Sequence, residues 1–149
     1  MAEKPSWASS YTHGTPVWLH IPAADVSQAK TFYSSLLHFT FRHTDDTEDP
    51  GIAHFEYPNS QLKAMVIGGA IMKTRDHETI VSDTYKKGEG KIVPTMYWFV
   101  DDLGDVLGKV EGLGGKVLVG RTAQGDSAEH AVLQDTEGNA LGVYGLVKT

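Results

Sequence analysis

The sequence predicts an α+β fold: two βαβββ modules that form an incompletely closed, eight-stranded, barrel-like cavity. The chain has 149 residues, about one domain's length. It repeats in type. Asp102 stands 77 positions after Asp25, and each Asp follows a short β-branched and aromatic run and opens an amphipathic stretch. Three further strand-like runs follow each amphipathic stretch, the last two joined by turn-forming residues.

The first strand is Val17-Trp18-Leu19-His20-Ile21, ending at Pro22. Asp25 is a good helix N-cap, and Gln28 three residues on completes a capping-box pattern. Val26, Ala29, Phe32, Tyr33, Leu36 and Leu37 then follow a helical stripe. Phe39 to Arg42 reads as the second strand and Ala53 to Tyr57 as the third. Pro58-Asn59-Ser60 turns the chain into a fourth, from Leu62 to Met72.

The second module opens on Pro94-Thr95-Met96-Tyr97-Trp98-Phe99-Val100. Asp102 caps a stripe of Leu103, Val106, Leu107, Val110 and Leu113, and Gly114-Gly115 stops it. Strands follow at Lys116 to Val119, His130 to Gln134 and Ala140 to Val147, with Asp135-Thr136-Glu137-Gly138-Asn139 as the last turn. Module one therefore covers about 15–72 and module two about 93–147 of a single domain, 1–149. The stretch 73–92 is a polar connector, and 1–14 reads as a loose N-terminal arm. One helix covers only one face of a four-stranded sheet. Two modules can turn their bare faces together and enclose a small molecule.

Composition excludes several classes. With no cysteine there is no disulfide, thiolate zinc site or Cys nucleophile. Thirteen Lys+Arg against 19 Asp+Glu give a net charge of −6, and Lys86-Lys87 is the only basic pair of note, so no nucleic-acid partner is expected. No apolar run approaches the ~20 residues of a membrane span, and the start of the chain lacks a signal peptide's apolar region. These features lead to the expectation of a cytoplasmic protein without membrane contact. Asp45, Asp46, Glu48 and Asp49 do not have calcium-loop spacing and read as a solvated turn. Gly112 to Gly115 lacks the Lys-Ser/Thr of a phosphate loop.

The run Trp18-Leu19-His20-Ile21-Pro22-Ala23-Ala24-Asp25, with Ala29 and Phe32-Tyr33, resembles the opening of the vicinal oxygen chelate superfamily. That superfamily holds glyoxalase I, bleomycin-resistance proteins and extradiol dioxygenases. Val100 to Leu103, Gly114 to Val117 and Asp135 to Asn139 add to the resemblance. Gly68-Gly69-Ala70-Ile71-Met72 and Gly142 are similar to its lactoylglutathione lyase-related branch. Two departures stand out: Thr136 replaces the usual Pro after Asp, and His38 the usual helix-ending Gly.

The resemblance implies where a metal would sit: Trp18, Gly68 or Gly69, Thr95 and Gly142. None of these supplies an imidazole or carboxylate, so no metal and no cofactor is expected. Strand alternation groups Trp18 with His20, Thr95 with Tyr97 and Phe99, and Gly142 with Ala140 and Tyr144. The resemblance also turns His130, Val132 and Gln134 toward the cavity. His20 and His130 are then candidate acid–base groups and Tyr97 a candidate oxyanion donor, while Trp18, Thr95, Phe99, Val132, Gln134, Gly142 and Tyr144 are candidate substrate contacts. Each histidine reads equally as an ordinary core or rim residue, and Tyr97 as lining. His54 and Glu56 share a face that alternation leaves undecided, and His13, His43 and His77 read as surface.

The expected function is a metal-independent small-molecule enzyme that moves a proton on an enolisable or carbonyl metabolite, of lyase, isomerase or cyclase type. The alternative is a non-catalytic small-molecule binding or resistance protein. A further alternative is a metalloenzyme of glyoxalase or dioxygenase type, its site displaced onto His20 and His130 with one carboxylate. The partner is a small-molecule substrate, and analogy with the superfamily allows a homodimer.

Overall fold

The computed structural model describes residues 13, 18–42, 51–58, 68–75 and 95–148. Among these the order is β1 (Trp18–Ala23), α1 (Val26–Leu37), β2 (Thr40–Phe41), β3 (Ile52–Glu56) and β4 (Gly68–Lys73), then β5 (Tyr97–Phe99), α2 (Leu103–Lys109), β6 (Lys116–Gln124), β7 (Ala128–Gln134) and β8 (Ala140–Leu146). The strands form two four-stranded sheets, ordered β1-β4-β3-β2 and β5-β8-β7-β6. In each, the first strand runs parallel to the last and the other pairs are antiparallel. The two sheets do not join into a closed barrel.

Both N-caps act as read, but the Asp25 N–H goes to Glu137 and not to the Gln28 side chain of a capping box, and α2 ends at Lys109, short of the expected stripe to Leu113. The Asp25 carboxylate accepts from the Gln28 N–H at 3.0 Å, and Asp102 does the same for Asp105 at 3.1 Å. His38 takes the left-handed conformation, φ 60°. The α1 stripe is wholly buried. Its aromatic side continues into Phe39, which stacks on Tyr33 and on Phe55 with centroids 5.5 and 4.6 Å away. Phe39 also meets Trp98 of module two edge-on at 6.0 Å, so the two modules share one core.

A second bond between modules comes from the β7–β8 turn. Glu137 accepts from the backbone N–H groups of Ala24 and Asp25, both at 2.9 Å. Asn139 donates to the Pro22 carbonyl at 2.9 Å. The Tyr33 hydroxyl donates to the buried Asp135 carboxylate at 2.7 Å. Asp135 also accepts from the Glu137 and Asn139 backbone N–H groups and from the Asn139 amide. A segment legible as a turn is thus also a clamp on the β1–α1 corner.

Several element bounds differ from expectation. The β1 ladder passes through Pro22 to Ala23, because β1 is an edge strand and loses no pairing on its outer side. The β5 ladder is only Tyr97–Phe99, shorter than Pro94 to Val100. In the opposite sense, β6 runs to Gln124 and β7 begins at Ala128, lengthened as one hairpin around Gly125 with two register shifts. Lys73, expected to open the connector, ends β4. The expected arm, apart from His13, lies outside the described residues, as do Val17, the acidic loop, Asn59-Ser60, Leu62 to Ile67 and most of the connector. Among the described residues no helix is long and apolar enough to cross a membrane.

Candidate functional site

Alternation along each strand gives each sheet a packed face and an outer face. In sheet one Leu19, Ile21, Gly69, Ile71, Ala53 and Phe55 fall on the packed side. Trp18 and His20 fall on the outer side, with Gly68 and Ala70 of β4 beside them. This resolves the choice between the two glycines: Gly68 faces outward opposite Trp18, and Gly69 faces the core. In sheet two Trp98, Val143, Leu141, Ala131 and Leu133 pack inward. Tyr97, Phe99, Gly142, Tyr144, His130, Val132 and Gln134 take the outer face, as the sequence reading had grouped them.

The best-formed constellation is on sheet two. Tyr97 stands directly opposite Gly142, and its ring occupies the space above that glycine, where any Cβ would collide with it. The His130 imidazole meets the Tyr97 ring edge-on, centroids 5.8 Å apart at 82°. Tyr144 is the register partner of His130 and pairs with Phe99 on its other side. Gln134 spends one amide N–H on the Gly138 carbonyl at 3.2 Å, which fixes its side chain to the turn. Thr95 lies just before β5, half-buried. Val132 shares the row with Gly142 but is fully buried, so it offers no surface of its own. Phe99 is the most open of the set, 62% exposed.

Trp18 and His20 belong to sheet one, with ring centroids 6.3 Å apart. The contacts that join the modules run through the packed faces and the β7–β8 turn, through Tyr33, Phe39, Trp98 and Glu137. The structure therefore brings the predicted residues together as two groups, one per sheet.

Sequence reasoning left the face of His54 and Glu56 undecided. Both lie on the outer face of sheet one, His54 in register with Ala70 and Glu56 with Gly68. His54 contacts the Trp18 ring at 6.2 Å. The signal was present in Phe41 and Phe55: pairing those two as core turns His54 and Glu56 outward.

The four positions to which the superfamily resemblance assigns a metal hold an indole, two glycine backbones and a hydroxyl. Gly142 cannot be read as a ligand lost by one substitution, because Tyr97 fills the space its side chain would need. Among the described residues no three His, Cys, Asp or Glu side chains gather as a metal-holding group. These residues do not fit the metal.

Burial and hydrogen bonding shift two groups nearby. Burial raises the Asp135 carboxyl above its ordinary value of 3.8, although bonds from Asn139, Tyr33 and Glu137 pull the other way. Burial and the adjacent Asp135 push the Tyr33 hydroxyl well above 10.0.

Comparison with known proteins agrees with this architecture. The profile of the glyoxalase/bleomycin resistance protein/dioxygenase superfamily matches residues 15–143. A Mycobacterium tuberculosis (strain CDC 1551 / Oshkosh) protein named "Putative glyoxylase CFP32" is 29% identical over 142 residues, covering 91% of this chain and 47% of that protein. The chain thus spans about half the length of the curated relatives it matches. Among solved structures, a glyoxalase/bleomycin resistance protein/dioxygenase family enzyme from Burkholderia phytofirmans PsJN has a TM-score of 0.62 at 13% identity, covering 87% of this chain and 97% of that one. The fosfomycin resistance protein FosX from Listeria monocytogenes also gives 0.62, at 9% identity and coverages of 93% and 95%. Lactoylglutathione lyase from Agrobacterium tumefaciens gives 0.55 at 12% identity, with coverages of 89% and 93%. At these identities the likeness is one of fold.

Proposed function

The chain belongs to the glyoxalase/bleomycin resistance protein/dioxygenase superfamily, and from that premise we propose that it is a small-molecule enzyme of lyase or isomerase type. It moves a proton on a carbonyl-bearing metabolite with an imidazole, on the outer face of sheet two. The observation that carries this reading is the Tyr97–His130 pair above Gly142, a titratable ring held edge-on against a phenol.

Each role follows from side-chain chemistry. His130 takes the proton next to the carbonyl and returns it, since a neutral imidazole works in both directions near pH 7. The Tyr97 hydroxyl donates to the oxygen on which negative charge gathers as the proton leaves. Phe99 and Tyr144 hold the apolar part of the substrate. Gln134, fixed to its turn, orients the polar end. The donor set at the superfamily's metal positions supports a mechanism carried by these side chains.

The test is a panel of enolisable carbonyl metabolites, followed by solvent-deuterium exchange and product formation. His130→Ala is expected to lower kcat by on the order of 10² to 10⁴-fold with substrate binding retained. Tyr97→Phe is expected to cost less, on the order of 10² to 10³-fold, as for one lost oxyanion donor. Elemental analysis of untagged protein belongs beside it. About one equivalent of a metal whose removal abolishes turnover would overturn the reading.

A second reading has its own support. The open aromatic surface of Phe99 and the half-exposed Trp18 suit a protein that only binds a planar compound. Full retention of ligand affinity in His130→Ala, with no turnover in the parent protein, would favour it.

A further inference from the structure

In sheet two every second residue of β7 and β8 faces outward, from Ala128 to Gln134 and from Ala140 to Leu146. Strand β6 adds Lys116, Val119 and Thr122 to that face, opposite Gln134, Val132 and His130. The charge on this face is one-sided. The chain holds 19 Asp and Glu and a net charge of −6, yet the four strands of sheet two contain a single carboxylate, Glu129. Glu129 points to the packed side, opposite Gly145, and pairs with Arg121 at 2.7 Å. The outer face of these strands is left with no carboxylate and with one lysine, Lys116, at the end next to the β7–β8 turn.

Lys116 is exposed. Among the described residues the ion pairs of α2 and sheet two are Lys109–Asp105, Arg121–Glu129 and Lys148–Asp102, and Lys116 belongs to none of them. The acids of the neighbouring turn are engaged elsewhere: Asp135 accepts from Tyr33 and Asn139, and Glu137 from the Ala24 and Asp25 backbone N–H groups. Beside Lys116, Gln134 spends one amide N–H on the Gly138 carbonyl. That bond fixes the amide and leaves its second N–H to give. The next residue in the row is Ala140, where only a methyl group stands. An ammonium and a held amide donor therefore share one row, on a face without a competing negative charge.

We propose that Lys116 and Gln134 form a carboxylate subsite, so that the substrate of this face is a keto acid. Two donors match the two oxygens of a carboxylate. Gln134 lies four residues from His130 on β7, about 13 Å of strand, so several bonds separate the carboxylate from the reacting carbonyl. The proposal rests on the reading of this face as the substrate site and adds what the site selects: the acid over its neutral ester.

The test titrates the ¹⁵N-labelled full chain with 6-oxoheptanoate, with its methyl ester, and with heptanoate, which has the carboxylate and no ketone. The readout is the Gln134 side-chain amide resonance, assigned by its loss in Gln134→Met. Saturable movement is expected with both acids, with about tenfold weaker binding of the ester, as for one charge-assisted hydrogen bond. Added salt is expected to weaken the acids and leave the ester unchanged. Lys116→Met is expected to bring the acid down to the affinity of the ester without altering the ester, Lys116→Arg to keep most of the preference, and Lys116→Glu to abolish acid binding. Lys109→Met, which removes a cation already paired on α2, is expected to change neither. Equal affinity for acid and ester, an unchanged preference in Lys116→Met, an equal loss in Lys109→Met, or no saturable shift with either acid would each overturn the proposal. Heptanoate separates this proposal from the proton-transfer reading, because it has no carbonyl to enolise. Its binding at Gln134 stands if no turnover is found, and turnover of neutral ketones without any preference for the acid would leave only the proton-transfer reading.

Discussion

Replacing Asp135 with alanine is expected to destabilise the protein by about 3 kcal/mol and lower its melting temperature by on the order of 10 °C. Asp135 is 3% exposed and accepts from four groups: the Tyr33 hydroxyl, two backbone N–H groups and the Asn139 amide. Alanine removes every acceptor. The heaviest part of the loss is Tyr33, whose hydroxyl is fully buried and would be left without its Asp135 acceptor. The β7–β8 turn would loosen as well, and with it the hold of Glu137 and Asn139 on the β1–α1 corner. Chemical denaturation of the parent and variant measures the difference. A change below about 1 kcal/mol would show that the clamp contributes little.

The same residue gives a pH dependence with a definite sign. Burial raises the Asp135 carboxyl above 3.8, so the folded protein holds this proton more tightly than the unfolded chain does. Between 3.8 and the raised value the folded state binds more protons. The contribution of Asp135 to stability therefore falls as pH rises through that window and is constant above it. Asp135→Asn removes the group, so the parent-minus-variant difference in unfolding free energy should decline with rising pH from about 4 and then level off. A flat difference, or one that rises, would contradict the assignment.

Gly69→Ala is expected to cost about 3 kcal/mol, whereas Gly68→Ala, one residue away, should stay within about 0.5 kcal/mol of the parent. A Cβ at Gly69 collides with the Leu19 carbonyl oxygen and with the Phe55 ring. The first is backbone fixed by the β1–β4 ladder, and the second is wedged by Phe39. Neither has room to yield. A Cβ at Gly68 meets the Phe55 carbonyl at 3.4 Å and the Trp18 ring at 3.6 Å, which is ordinary contact. Two adjacent glycines on one strand thus give opposite outcomes, because successive residues face opposite sides of a sheet. Denaturation midpoints of the two variants decide it, and similar losses in both would mean that the β4 register is wrong.

Much of this architecture was legible because it is written locally. The Asp25 N-cap and the 3.6-residue stripe from Val26 to Leu37 each depend on residues within a few positions. The grouping of Tyr97 with Phe99, and of His130 with Val132 and Gln134, follows from strand alternation and needs no partner. The duplicated pattern required only that both halves be read with one offset.

What was not legible depends on register between strands. Alternation says that His54 and Glu56 share a face, but only the pairing of Phe55 with Gly69 and Phe41 says which face. A slip of one residue would send both inward. The choice between Gly68 and Gly69 has the same cause. The Asp135 to Asn139 turn showed its turn chemistry and hid its function as a clamp. Its partners Pro22, Ala24, Asp25 and Tyr33 lie more than a hundred positions earlier, and no local pattern marks a bond of that length.

The sequence by itself determined two βαβββ modules, the caps and stripes of both helices, and which side chains travel together on each strand, because those properties are set by neighbours along the chain. Tertiary structure alone decided that the two candidate groups sit on separate sheets, that His54 joins Trp18 and His20, and that the modules are joined through Tyr33, Phe39, Trp98 and the Asp135 turn. Those are contacts between residues far apart in the chain, and they are fixed only when burial of the shared core selects one register and one packing over the alternatives.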